Sequence, residues 1–170
     1  MPCKQGNRES IDDAKVRYAE DKKYRDTSEH KHWLWLVDQV HANEIGFSNL
    51  SHPNKLYFSA NLVSGEVYNG GFEQYFFNSS GDYYNYAVEA SQAIGATESL
   101  KLLLSASRTL FGEGLVPSDT SERRVFIGNL TNETIRDALN LLDCAFYKDP
   151  DNFSGLMTKF AKTHSLHSDF

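Results

Sequence analysis

The apolar residues of this chain recur every three or four positions along nearly its whole length. No stretch shows the period-two alternation of β-branched residues that a half-buried strand requires. Leu56, Ala60, Val63 and Val67 stand at spacings of four, three and four, and Ile135, Ala138, Leu139, Leu142 and Phe146 form a second such stripe. A chain patterned this way buries one face per helix against its neighbours, so the expected fold is all-α: a single-domain, multi-helix orthogonal bundle. The 11 Phe, 9 Tyr and 2 Trp among 170 residues supply enough apolar surface to exclude a disordered chain.

Start and stop signals divide the pattern. A first helix is expected over residues 10 to 25, with a thin apolar stripe, as a charged N-terminal arm covering residues 1–31. Residues 32–170 are expected to form the domain. Thr27 and Ser28 offer a cap to a helix that buries Trp33, Leu36, Val37 and Val40, and residues 45 to 52 read as a loop. Pro53 suits the first position of the next helix, which Asn69-Gly70-Gly71 should break before a short aromatic helix over 72–79. Further helices are expected from residue 83 to Gly95, from a Thr97 cap to Gly112, from an Asp119/Glu122 capping pair through Phe126 and Ile127, along the Ile135 stripe, and from Phe153 to Phe160.

Charge distribution says more than the net of −6. Residues 1–31 hold 8 Lys/Arg against 7 Asp/Glu, residues 32–122 hold 3 against 10, and residues 123–170 hold 6 of each. Phosphate binding needs clustered cations, so the expectation is no direct nucleic-acid binding, and a basic partner instead. No apolar run approaches the length of a membrane span, and the first residues hold no apolar segment of a signal peptide, which leaves a cytoplasmic protein as the expectation. Two cysteines, Cys3 and Cys144, are too few for a disulfide scaffold or a four-cysteine zinc site and read as thiols. The six histidines form no strong ligand pattern, no serine stands in a Gly-x-Ser-x-Gly elbow, and Gly112-Glu113-Gly114 lacks the third glycine and lysine of a phosphate loop. No catalytic residue, metal or cofactor is therefore assigned.

The densest group of polar and aromatic side chains is Glu66-Val67-Tyr68-Asn69-Gly70-Gly71-Phe72-Glu73-Gln74-Tyr75-Phe76-Phe77-Asn78-Ser79-Ser80-Gly81. Gln74 and Asn78, four apart, share a helical face and can pair or hydrogen-bond a neighbour, with Asn69 a candidate third amide. The glycines allow a sharp bend, and Phe72, Tyr75 and Phe76 can bury the short helix. Three readings stay open for Asn69, Gly70, Gly71, Phe72, Gln74, Tyr75, Asn78, Ser80 and Gly81: a structural clasp across the bend, a partner or ligand pocket, or an enzyme's pocket with Glu66 and Glu73 as acid and base.

This segment resembles the hallmark of a bacterial DNA-mimic-protein-like family, and the similarity extends over about residues 32 to 170, through Ala87, Ala90, Ile94-Gly95-Ala96, Leu142-Asp143 and Phe146-Tyr147. The resemblance implies an acidic, non-catalytic helical protein, with a homodimer as one assembly, whose carboxylates occupy the DNA-binding surface of a transcription regulator or another DNA-binding protein. The candidate carboxylates are Asp38, Glu44, Glu66, Glu73, Asp82, Glu89 and Glu98. A general protein-interaction or regulatory module is the alternative, and an enzyme with a pocket at the Asn-Gly-Gly-Phe bend is the second.

Overall fold

A computed structural model describes residues 11–42 and 46–170. Helices account for nearly all of it, and the described residues contain no strand, as the 3.6-residue period requires. In chain order the helices are α1 (Ile11–Arg25), α2 (Ser28–Ala42), α3 (Gly46–Asn49), α4 (His52–Phe77), a 3-10 helix (Ser79–Tyr83), α5 (Tyr84–Ile94), α6 (Thr97–Phe111), α7 (Thr120–Gly128), α8 (Glu133–Phe146) and α9 (Phe153–Thr163). None of the described helices is long and apolar enough to cross a membrane. The described residues up to Lys55 together with Ala161–Phe170 make one compact unit, and Leu56–Phe160 makes another.

In the first unit α2 begins where the sequence signals it, because the Thr27 hydroxyl accepts a hydrogen bond from the amide of His30 at 3.2 Å. Leu36 and Val40, four apart, are buried, whereas Trp33 and Val37 are half-covered. The segment expected as a loop at 45–52 contains a helical turn, α3, and buries Leu50 just after it. Spacing alone gave no stripe there, since one turn is too short to repeat. His32 is wholly buried, with its Nε2 3.0 Å from Asn54 Oδ1. Its ring lies 5.9 Å from Trp35, 5.3 Å from His167 and 5.0 Å from Phe170. Burial pushes the His32 imidazole down to about 4; the Asn54 hydrogen bond opposes the shift and His167 adds to it.

The core of the second unit is built from the stripes read in the sequence: Val63 and Val67 of α4, Phe72, Tyr75 and Phe76 after the bend, Ala87, Leu103, Ala106, Leu110, Ile127, Leu139 and Phe146. Aromatic rings tie it together, with Phe72 edge-on to Phe146 at 5.5 Å and Phe76 edge-on to Phe111 at 5.4 Å. Helix α6 packs against both α5 and α8. The Asp119 cap is present, its carboxylate accepting from the Glu122 amide at 3.0 Å. Two details differ from expectation. Thr97 does not cap α6; the Asp151 carboxylate reaches over to accept from the amides of Glu98 and Ser99 at 3.3 and 2.6 Å. Phe126, expected inside, is 45% exposed, because the buried face of α7 passes through Arg123 and Ile127.

A neutral buried histidine makes the first unit sensitive to acid. The unfolded chain takes up the proton near pH 6.5 and the folded chain only near 4, so the stability due to neutral His32 is present above pH 6.5 and is lost as pH falls toward 4. Melting temperatures recorded from pH 7 to 4 for the native protein and for His32→Asn should therefore diverge in slope, the native chain falling more steeply. Parallel curves would contradict a neutral, buried His32.

Candidate functional site

Helix α4 is two helical pieces joined by a bend at Gly70 (φ −148°, ψ 18°) and Gly71 (φ 82°, ψ 179°), where the sequence places its break. The Gly71 conformation is closed to side-chain-bearing residues, and a Cβ there would also meet the Asp143 carboxylate. Asp143 Oδ1 instead accepts the Phe72 amide at 2.8 Å, anchoring the short helical piece to α8.

The bend brings three motif side chains onto one carboxylate. Glu66 Oε2 accepts from Gln74 Nε2 at 2.7 Å and from Asn78 Nδ2 at 3.0 Å, while Glu66 Oε1 accepts from Ser80 Oγ at 2.8 Å. A carboxylate can only accept, so both amide groups must turn their NH2 ends toward Glu66. Glu66 is thus the hub of a polar clasp that ties the helix before the bend to the helix and 3-10 turn after it. Charge-assisted bonds of this kind are stronger than neutral ones, and partial burial reduces competition from water. Phe72, Tyr75 and Phe76 are buried to completion around it, and burial raises the Tyr75 hydroxyl pKa far above its usual value, so it stays neutral. Asn69 is exposed, one residue ahead of the bend.

A second hub went unread in the sequence. Arg123 on α7 is wholly buried and donates to the carbonyls of Phe76 (2.8 Å), Pro117 (2.9 Å), Ser118 (3.0 Å) and Asn78 (3.1 Å), to the Thr120 hydroxyl (3.1 Å) and to Asp82 Oδ1 (2.5 Å). It closes the loop before α7 onto the end of the motif. Gly81 is part of the same arrangement, since a Cβ there would sit 2.6 Å from Arg123 Nε. Among charged neighbours, Glu122-Arg123-Arg124 reads as a solvated face. The signal available was that Arg123 lies four residues before Ile127, on the apolar side of its helix.

The candidate carboxylates therefore differ in what they have available. Glu66 is committed to the clasp, and Asp82 accepts from both Arg123 and Thr120 (2.7 Å). Glu98 is exposed and pairs with Lys101 at 2.7 Å; Asp38 on α2 and Glu89 on α5 are exposed. Glu73 is half-buried, and Glu44 lies outside the described residues. Beside the clasp, Gly70, Glu73, Gln74, Phe77 and Asn78 form one wall of an open cleft of about 700 Å3, with Arg136, Leu139, Asn140 and Asp143 of α8 as the other. No group of three His, Cys, Asp or Glu side chains among the described residues is arranged to hold a metal.

Residues 48–164 match the family described as DMP19-like protein, and the chain belongs to that family. No curated protein and no solved structure matches the chain.

The clasp and the buried arginine make separable predictions. Gln74→Ala removes one of three donors from Glu66 and should cost about 1–3 kcal/mol in urea unfolding, with an unchanged helical spectrum. Arg123→Lys keeps the charge but cannot serve six acceptors, and should cost more than Gln74→Ala. Native-like midpoints for both variants would show that neither hub holds the fold.

Proposed function

We propose that this protein is a non-catalytic binding protein that presents carboxylates in place of DNA phosphates to the DNA-binding surface of a transcription regulator or another DNA-binding protein. Membership of the DMP19-like family supports this reading, and one observation about charge carries it. The unit Leu56–Phe160 holds 7 Lys/Arg against 13 Asp/Glu, so the whole formal net charge of −6 resides there. Several of its few cations are turned inward or paired. Arg123 is buried, Arg124 donates to the Phe77 carbonyl at 3.0 Å, and Lys101 is paired with Glu98.

The surface of this unit carries an excess of carboxylates, the exposed Glu89 among them. Such a surface attracts clustered Lys/Arg over several ångströms and steers a basic partner into contact. Glu66 and Asp82 contribute by holding the surface in shape, since both are engaged internally.

The purified protein, used as bait for proteins of the source cell, should retain DNA-binding proteins at about 0.1 M salt and release them near 0.5 M, where screening shortens the reach of charge to a few ångströms. Duplex DNA should displace the same proteins. Retention of a partner that resists both salt and DNA would contradict phosphate imitation and favour a general interaction module.

A further inference from the structure

The cleft beside the clasp has a chemistry of its own. Gln74 and Asn78 give their NH2 groups to Glu66, which leaves both amide oxygens as acceptors. Gln74 Oε1 lies directly against Gly70, in the lining of the cleft. The half-buried Glu73 carboxylate stands on the same wall, Asp143 on the opposite one, and the buried Leu139 forms part of the α8 wall. Phe77 adds a ring that is 40% exposed.

Cations of the chain itself are already drawn to this end of α4. Arg124 sits over the Phe77 ring at 5.2 Å while donating to the Phe77 carbonyl, and Arg123 donates to the carbonyls of Phe76 and Asn78. The cleft's single cation, Arg136, is exposed and donates to the Leu130 carbonyl at 3.3 Å. An entering phosphate or carboxylate would meet two carboxylates and two amide oxygens, so an anionic ligand is disfavoured.

We propose that this cleft receives an arginine side chain of the protein's partner, with Glu73 and the amide oxygens of Gln74 and Asn78 accepting from the guanidinium and Phe77 covering its stem. The assignment deepens the reading above and rests on it for the partner's identity. In the major groove, an arginine that reads DNA meets neutral acceptors, guanine O6 and N7, recessed behind charged phosphates. The cleft offers a comparable arrangement: neutral amide oxygens recessed beside carboxylates. Imitation of DNA then extends from the phosphates to the base edge. Arginine fits better than lysine, since a planar guanidinium donates to several acceptors at once.

The test titrates the isotope-labelled full chain with a short glycine-flanked arginine peptide and follows backbone amide shifts, with the isosteric neutral citrulline peptide as comparison. Shifts concentrated at Gly70, Glu73, Gln74, Asn78 and Asn140 are expected with arginine and absent with citrulline. Glu73→Gln should weaken the arginine peptide about three- to tenfold, and Glu113→Gln, on an exposed loop, should leave it unchanged. Equal shifts from citrulline, shifts confined to other surfaces, or no effect of Glu73→Gln would overturn the assignment. Arginine binding in the cleft without any salt-sensitive, DNA-displaceable partner would remove the DNA-mimic reading and leave the cleft's ligand class standing. A DNA-displaceable partner without cleft shifts would do the reverse.

Discussion

Glu66 carries the burden of the bend. Breaking a helix at two glycines leaves a short aromatic piece, Phe72 to Phe77, with too few residues to be stable alone. Something must fix its direction. The Glu66 carboxylate does so by accepting from Gln74, Asn78 and Ser80, which follow it by 8, 12 and 14 residues. The three bonds span the helix after the bend and the start of the 3-10 turn, so a single acceptor sets the path of the whole segment. Asp143 fixes the near end through the Phe72 amide, and Arg123 fixes the far end through the carbonyls of Phe76 and Asn78. Phe72, Tyr75 and Phe76 can then enter the core in one arrangement only.

Charge in this protein serves two purposes. Glu66, Asp82 and Asp143 work inward, each satisfied by donors of the chain, and Asp151 does the same for the start of α6. Hydrogen bonds from the Ser99 and Glu98 amides overcome the effect of burial and hold the Asp151 carboxyl below its usual pKa. Asp38, Glu89 and Glu98 are exposed, where a carboxylate contributes little to stability and adds to the field at longer range. In the proposed function the inward set gives the outward set a fixed geometry, which is what competition with a regular duplex demands.

Much of this was legible in the residues. The stripes Leu56-Ala60-Val63-Val67 and Ile135-Leu139-Leu142-Phe146 found their helices because burial on one face imposes the period directly. The Gly70-Gly71 break was readable because Gly71 needs a backbone that other residues avoid. The amides at 74 and 78 were identifiable as a pair, but not their acceptor. Glu66 lies on the other side of the bend, and only the bend's angle brings it near. Asp151 was hidden for the same reason, since the amides it accepts from lie 52 and 53 residues away, and so were the Arg123 acceptors in the motif, Phe76, Asn78 and Asp82, which precede it by 41 to 47 residues. Whether a carboxylate faces in or out is likewise settled by tertiary contacts, so the seven candidate acids looked equivalent along the chain.

Native-state amide hydrogen exchange across the motif tests the clasp most directly. If Glu66 holds the bend, the amides of Phe72 to Asn78 should exchange only when the whole unit unfolds, with protection equal to that of Leu103 and Leu110 in the core. Exchange of those amides as fast as that of the exposed loop at residues 112–116 would mean that the short helix opens on its own, and that the clasp does not organise the structure.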